Sequence, residues 1–395
     1  NTDASAINYK NDYKHSSWLS LIENRLCESS KLMTKRGILC LAIDDEELSE
    51  ARQLLGAHFQ KVVGVVAVRS NPQSRKAKDT FSPAHEYALF YGKSSEAIPG
   101  SLELTEKRLA RYPRQDERGR FSWMSFIRTG TNDKRVDRPK MFYPILVSRE
   151  DALRIPSMTW SDDLGAWIVN EALKTGEVAI YPVVQTPDGV IEKRWHRGCD
   201  RVTAGPDEYR VRRDAEGTPS IDFKTRIDED STPVTWWDKN EYASSNYGAV
   251  ELKALFGAKQ FDFPKALGLF IDCIRASNAQ DDSVVLDYFG GSGTTAHAVV
   301  NLNREDRGRR KFILVEMGDY FDTVLLPRIK KVTFTPEWKD GKPKRLATPE
   351  ESECSPRMVK VIRLESYEDA LNNLDLRRTQ QQQSLLDVAE AQGAD

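Results

Sequence analysis

The chain has 395 residues, which is enough for two or three domains and a large hydrophobic core. Its 58 Lys and Arg nearly balance its 60 Asp and Glu, and 39% of its residues are hydrophobic, so the composition indicates a soluble globular protein and excludes a disordered one. No apolar run approaches the roughly 18 residues of a membrane span and no signal peptide is visible, which predicts a cytoplasmic protein without a membrane partner.

Residues 1–95 have the pattern of an α/β structure. The apolar residues of 15–33 recur at helical spacing, which predicts a first helix. Asp44 and Asp45 end the first strand-like run, and we expect them to cap the helix that follows. The strand-like runs of this region are 37–45, 61–70 and 86–92.

Residues 96–245 have a different character, with short irregular segments and frequent Gly, Pro and Arg. Inside them, the stretch 107–140 contains eleven Lys and Arg against four acids, an excess of +7 in a nearly neutral chain, and aromatic residues are interleaved with this charge. Such a stretch is either a solvated charged surface, which is the commoner case, or a surface that contacts nucleic acid.

An alternation of helices and strands returns in residues 246–335. We expect a helix over 264–277, a short β-branched strand with a glycine turn up to residue 293, and a second helix from there. A strand over 311–316 and a helix over 320–332 follow, and residues 336–395 form a polar extension.

The glycine turn is the clearest candidate for a ligand site. Gly291-x-Gly293-x-x-Ala296 matches a relaxed dinucleotide fingerprint, in which glycines let the backbone approach the ligand and the helix start offers unpaired N–H groups. Glu316 lies 20 residues beyond Ala296, where an acid can accept hydrogen bonds from ribose hydroxyls. On this spacing alone NAD is a fair ligand and the chain an NAD-dependent oxidoreductase, whereas a P-loop is disfavoured because no Lys-Ser/Thr pair follows the glycines.

The exact amino-acid sequence of the turn favours another cofactor. The sequence Asp-x-Phe-x-Gly-Ser-Gly-Thr-Thr from Asp287 to Thr295 resembles the S-adenosylmethionine loop of amino DNA methyltransferases, and the segment from Phe261 to Lys265 is similar to the stretch that borders the cofactor pocket in that family. The resemblance therefore implies S-adenosylmethionine as the cofactor. The cofactor-binding residues that it implies are Asp262, Phe263, Pro264, Lys265, Asp287, Phe289, Gly290, Gly291, Ser292, Gly293, Thr294, Thr295 and Glu316.

Almost the whole chain shares this resemblance. The segments "GILCLAIDDEE", "HEYALFYGK", "TWWDKNEYASSNYG" and "RLESYEDALNNL" are similar, in the same order, to the β group of amino DNA methyltransferases and in particular to the modification (Mod) subunits of type III restriction–modification systems. This implies an α/β, Rossmann-like methyltransferase fold with the catalytic half first and an inserted α+β target-recognition domain. The implied parts are the catalytic half (1–95), the target-recognition insertion (96–245), the cofactor-binding half (246–335) and a C-terminal extension (336–395).

The same resemblance implies adenine-N6 methylation of double-stranded DNA by base flipping. In the family an Asp-Pro-Pro-Tyr motif holds the target amine, and Asn1 and Thr2 resemble the residues immediately after that motif. Because the motif itself is not in the sequence, we expect a fragment or processed chain that binds the cofactor but methylates DNA poorly alone. His85 and Tyr87 are candidates for the wall of the base pocket. The alternative is that His85 caps a strand and Tyr87 belongs to the core. The histidines and cysteines lack metal-ligand spacing, so we expect no metal.

The position of the basic stretch inside the methyltransferase insertion favours a role in DNA binding. The residues that we expect to contact DNA are Arg118, Arg120, Arg128, Lys134 and Arg135. The resemblance also implies a homodimer and a helicase–nuclease restriction subunit as partners. Besides the oxidoreductase, the alternative is a catalytically incomplete DNA-binding subunit of a modification complex.

Overall fold

The computed structural model describes residues 14–72, 81–104, 106–227 and 233–365, together with positions 371, 380, 382–384 and 387. Asn1 and Thr2, named above as flanking the catalytic motif, lie outside the described residues. The chain divides into two compact units. The first unit comprises Asn1–Gly248 and Lys265–Ala279, and the second comprises Ala249–Pro264 and Gln280–Asp395.

The described residues form the following helices and strands. The helices are α1 (Lys14–Leu32), α2 (Leu48–His58), α3 (Glu106–Leu109), α4 (Cys199–Ala204), α5 (Ala249–Phe256), α6 (Leu267–Ala276), α7 (Thr294–Asp306), α8 (Leu325–Phe334) and α9 (Pro349–Glu353). The strands are β1 (Ile38–Ile43), β2 (Lys61–Val68), β3 (Glu86–Gly92), β4 (Arg114–Asp116), β5 (Gly119–Ser125), β6 (Ile145–Val147), β7 (Leu153–Arg154), β8 (Met158–Ser161), β9 (Ala166–Val169), β10 (Val178–Ile180), β11 (Val183–Thr186), β12 (Gly189–Glu192), β13 (Tyr209–Arg213), β14 (Pro219–Arg226), β15 (Trp236–Trp237), β16 (Val284–Asp287), β17 (Lys311–Leu314), β18 (Trp338–Lys339) and β19 (Lys342–Pro343).

The first unit begins with a sheet that is covered on both faces. Its strand order is β1-β3-β2-β15, with β3 antiparallel to both neighbours and β15 parallel to β2. Because side chains alternate along a strand, Leu89 and Tyr91 of β3 pack with α1 and α2 on one face, and Ala88 and Phe90 pack with α6 on the other. This double burial explains why the strands read as nearly continuous apolar runs in the sequence.

Residues 106–227 fold mainly into strands. A four-stranded antiparallel sheet of order β13-β14-β5-β4 lies beside a three-stranded sheet of order β10-β6-β7 and the hairpins β8-β9 and β11-β12. The helices described here, α3 and α4, have four and six residues, so strands predominate in the insertion that was expected to be α+β. The segment has a core of its own, in which Trp195 stacks on Phe126 with ring centroids 5.0 Å apart.

The second unit contains a parallel β-α-β arrangement. β16 and β17 pair in parallel, with Asp287 opposite Leu314, and α7 connects them. Most of α7 is buried, and Ala296 of α7 packs against Leu325 and Ile329 of α8. The predicted strand–turn–helix–strand order of this region is therefore confirmed.

The expected cap of α2 is wrong. Glu47, and not Asp44 or Asp45, occupies the N-cap position, and it makes no side-chain capping bond there. Asp44 instead accepts a hydrogen bond from the backbone N–H of Glu46 at 3.3 Å, because a short turn separates β1 from the helix.

Within the described residues, no helix has both the length and the apolar composition that a membrane crossing requires.

Candidate functional site

The glycine turn joins β16 to α7 through two left-handed backbone positions. Gly291 has φ 53° and Gly293, the N-cap residue of α7, has φ 83°. Glycine adopts these angles without the steric penalty that a Cβ introduces. The turn is closed by a 2.8 Å bond from the N–H of Gly293 to the carbonyl of Gly290. The first turn of α7 thus begins directly after a tight turn that only glycines form without strain.

Asp287 holds the two sides of the turn together. Its Oδ1 accepts a hydrogen bond from the N–H of Phe289 at 3.0 Å, and its Oδ2 accepts one from the hydroxyl of Thr295 at 2.5 Å. Since the aspartate is at the end of the strand and the threonine is in the first turn of the helix, Asp287 fixes the conformation of the loop between them. Phe289 is about half exposed and is available to a ligand.

Glu316 follows β17 and lies against the turn. One of its carboxylate oxygens accepts from the N–H of Gly291 at 2.7 Å, and the other accepts from the N–H groups of Met317 and Gly318, both at 2.8 Å. A carboxylate offers about four lone-pair positions, so these three bonds leave room for one more donor. The Glu316 carboxylate therefore fixes the turn and can still accept one hydrogen bond from a hydroxyl group of a ligand.

Arg328 of α8 is a site residue that the sequence did not reveal. It is fully buried, and its Nη1 donates to the hydroxyls of Ser292 and Thr294, at 3.0 Å each. Its Nη2 lies 3.2 Å from Nδ1 of His297 and 3.6 Å from a carboxylate oxygen of Glu251. The hydroxyls of the predicted Ser-Gly-Thr cofactor motif thus face an arginine of the same unit, and not open solvent.

His85 and Tyr87, the predicted pocket residues, form a cluster with Asp45 in the first unit. Nε2 of His85 lies 3.0 Å from the hydroxyl of Tyr87 and 3.8 Å from a carboxylate oxygen of Asp45. Burial, followed by the charge of Asp45, raises the pKa of Tyr87 above its usual value. The neutral phenol is therefore the form present at physiological pH, and it can donate or accept one hydrogen bond. Asp45 was expected to be only a helix cap.

The four residues predicted from the segment before α6 differ in their surroundings. Lys265 belongs to the first unit and forms an ion pair with Glu86, the residue between His85 and Tyr87. The other three belong to the second unit, where Pro264 is buried, Asp262 pairs with Lys259 at 2.5 Å and Phe263 is 71% exposed. Phe263 also has φ 56°, an uncommon angle for a bulky residue.

Two of the arginines predicted to bind DNA already have acidic partners. Arg118 lies 3.3 Å from a carboxylate oxygen of Glu208. Arg135 makes a two-oxygen contact with Glu192 and stacks over the ring of Phe142 at 4.5 Å. These partners are distant in sequence, so the net charge of 107–140 overstates the number of free cations.

Two acids of the same stretch are neutralised from outside it. Asp116 pairs with Lys224 at 2.8 Å and with Arg226 at 2.6 Å, and these cations hold its pKa well below the usual range. Asp133 pairs with Lys193 at 2.5 Å. The other residues predicted to contact DNA differ in exposure, since Lys134 is exposed whereas Arg120 and Arg128 are half-buried.

The described residues contain no group of three or more His, Cys, Asp or Glu side chains that could hold a metal ion.

The strand–glycine turn–helix site lies inside a region that matches a known family. The family model N6_N4_Mtase, described as DNA methylase, matches residues 1–324. The chain belongs to the DNA methylase family. The resemblance to amino DNA methyltransferases that the sequence motifs indicated is thereby confirmed.

Three curated relatives match most of this chain, and two of them carry restriction–modification names. The Type III restriction-modification enzyme EcoPI Mod subunit of Escherichia phage P1 is 29% identical over 326 residues, which are 78% of this chain and 47% of that protein. The Type II methyltransferase M.KpnI of Klebsiella pneumoniae is 30% identical over 306 residues, 76% of this chain and 67% of that protein. The StyLTI Mod subunit of Salmonella typhimurium is 28% identical over 311 residues, 76% of this chain and 40% of that protein. The chain spans about half the length of the Mod subunits that it matches.

Proposed function

We propose that this chain is part of a DNA methyltransferase that transfers a methyl group from S-adenosylmethionine to the N6 amine of adenine in double-stranded DNA. The observation that carries the proposal is the glycine turn between β16 and α7, with Glu316 bonded to it, inside a chain of the DNA methylase family. The names of the two Mod subunits support a role in restriction–modification, as a Mod-type subunit that acts beside a restriction subunit. We further propose a homodimer located in the cytoplasm.

The turn fits a nucleoside cofactor for electrostatic and steric reasons. The N–H groups at the start of α7 attract polar groups of a ligand, and the glycines allow close approach of the backbone. We propose that Glu316 accepts a hydrogen bond from the ribose, because its carboxylate retains a free lone pair. We also propose that the exposed ring of Phe289 contacts the adenine of the cofactor. Asp287, Ser292 and Thr294 support the turn from within. S-adenosylmethionine supplies an electrophilic methyl group on sulfur when it is bound.

Methyl transfer to an exocyclic amine depends mainly on geometry. The amine must leave the base stack, which costs a few kcal/mol, and must then be held in line with the methyl group. We propose that Tyr87 and His85, held by Asp45, form part of the wall against which the flipped base rests. A neutral Tyr87 presents its ring for stacking and its hydroxyl for one hydrogen bond.

The turn also fits an NAD-dependent oxidoreductase, because the spacing of Glu316 suits either ribose. We expect S-adenosylhomocysteine to raise the melting temperature of the protein and NAD to leave it unchanged, since only a true ligand stabilises the folded state. Transfer of labelled methyl groups from S-adenosylmethionine to adenine N6 in duplex DNA tests the activity itself. Stabilisation by NAD alone would overturn the proposed function.

The proposed DNA contact predicts a salt dependence. Replacing Arg118, Arg120 and Lys134 together by glutamine is expected to reduce the slope of log affinity against log salt by about 0.9 for each phosphate contact that is lost. Fluorescence anisotropy of a labelled duplex at several salt concentrations measures the slope. A triple replacement of the exposed Lys330, Lys339 and Lys342, which lie outside the insertion, is the matched control and should leave it unchanged. Equal slopes for the two triple variants would assign the charge of residues 107–140 to a solvated surface.

A further inference from the structure

Arg328 connects the glycine turn to a buried acid through the two ends of its guanidinium group. Nη1 contacts the turn through the hydroxyls of Ser292 and Thr294, and it also lies 3.4 Å from the carbonyl of Ser292. Nη2 contacts His297 and Glu251. Because the guanidinium is planar and rigid, any group that fixes Nη2 also fixes the direction in which Nη1 donates.

The histidine partner acts as an acceptor. Burial and the charge of Arg328 lower the pKa of His297 well below its usual value, so the ring is neutral at physiological pH. Since Nη2 of Arg328 is a donor, the bond of 3.2 Å requires Nδ1 of His297 to accept and places the ring proton on Nε2. His297 therefore orients the arginine but does not compensate its charge.

Glu251 supplies the charge that faces Arg328. It projects from α5 and lines a cavity of about 220 Å³, through which its side chain remains 26% exposed. The charged and titratable groups around it are Arg328 of α8, His297 of α7, and Glu337 and Lys344, which also line the cavity. Burial raises the pKa of Glu251 to about 7, against the opposing effect of Arg328. The cavity gives protons a route to this carboxylate.

We propose that Arg328 is a positioning residue for the glycine turn and that Glu251, in its ionised form, orients Arg328 for this task. The inference rests on the proposed function, because it assigns the turn to the cofactor. Burying the whole guanidinium is costly unless its charge is compensated, and Glu251 is the acid that faces it. When Glu251 takes up a proton, the attraction on Nη2 is lost and the turn is held less firmly.

The pH dependence of cofactor affinity has the opposite sign to that of stability. Above about pH 7 Glu251 is ionised, so the turn is held and cofactor affinity is high. The folded-state pKa of Glu251 is raised, so its contribution to stability is fully present below about 4.5, the value of the unfolded chain, and is lost as the pH rises through about 7. A purely structural role would leave affinity unchanged while the protein stays folded, or lower it if the loss of stability unfolds the protein as the pH rises. Positioning makes affinity rise instead.

Calorimetry with S-adenosylhomocysteine at about pH 6 and about pH 8 tests the proposal, because these values lie on either side of the transition. We expect the parent to bind several-fold more tightly at the higher pH and Glu251→Gln to bind equally weakly at both. Glu337→Gln, which removes the other carboxylate of the same cavity, should behave like the parent. Arg328→Lys keeps the positive charge but loses the planar guanidinium with its two separate donor nitrogens. This variant should bind S-adenosylhomocysteine weakly at both pH values. A parent-like pH dependence in Glu251→Gln would overturn the proposal.

Hydrogen exchange separates failure of this inference from failure of the proposed function. The amides of residues 288–293 are compared between the ligand-free parent and Glu251→Gln at the same pH, so that the intrinsic exchange rate cancels. We expect faster exchange in the variant at about pH 8 and equal exchange at about pH 6, where Glu251 is protonated in the parent. If S-adenosylhomocysteine does not bind the parent, the proposed cofactor is wrong, while this comparison still decides whether Glu251 controls the turn. Equal exchange at both pH values would contradict the positioning role.

Discussion

Replacing Gly291 by valine is expected to abolish binding of S-adenosylhomocysteine. Space is not the obstacle, since the nearest atom that a Cβ would meet is the carbonyl oxygen of Phe289, 3.8 Å away. The obstacle is the left-handed backbone angle of 53°, which a β-branched residue adopts only with strain. To relieve the strain the peptide must rotate, which breaks the hydrogen bond from the N–H of residue 291 to Glu316 and changes the shape of the turn.

Isothermal titration calorimetry measures the loss. Gly217→Val is the matched control, because Gly217 also has a left-handed angle, 81°, and open space around it, but it lies in the first unit. That variant should show comparable strain and bind like the parent. Glu316→Ala is expected to be intermediate, with a loss of about 1–3 kcal/mol, the scale for removing one partner of buried hydrogen bonds. Parent-like binding by Gly291→Val would place the cofactor elsewhere.

Replacing Trp195 by alanine is expected to destabilise the insertion by about 3–5 kcal/mol and to abolish DNA binding. Trp195 is fully buried, stacks on Phe126, and donates from its indole N–H to the carbonyl of Tyr143 at 2.8 Å. Its removal leaves a large cavity and an unpaired carbonyl in a core made of residues of the insertion alone.

Chemical denaturation and DNA anisotropy measure the two effects, and calorimetry with S-adenosylhomocysteine serves as the third readout. Cofactor binding should survive, because the glycine turn and its partners belong to the second unit. Leu164→Ala, which truncates a residue of the insertion that is 69% exposed, is the control and should change none of the three. Loss of cofactor binding together with DNA binding would mean that the insertion does not fold independently.

Local patterns in the sequence determined much of the fold. The run at 86–92 became β3 with the same limits, and the glycines of the turn were placed between a strand and a helix, as predicted. Both signals are short in range. A short run of apolar residues favours a strand within a few positions, and a left-handed backbone angle strongly favours glycine. The order of motifs along the chain was enough to identify the family.

The tertiary structure alone decided which charges meet. Nothing near Arg328 in the sequence indicates that it is buried against Ser292, Thr294 and Glu251, because these residues come from different helices and a turn. The same holds for Arg118 and Arg135, whose partners Glu208 and Glu192 lie 90 and 57 positions away. A charged side chain has no periodicity that reveals its partner. Its burial and its pKa follow from the packing of distant segments, which composition and spacing do not specify.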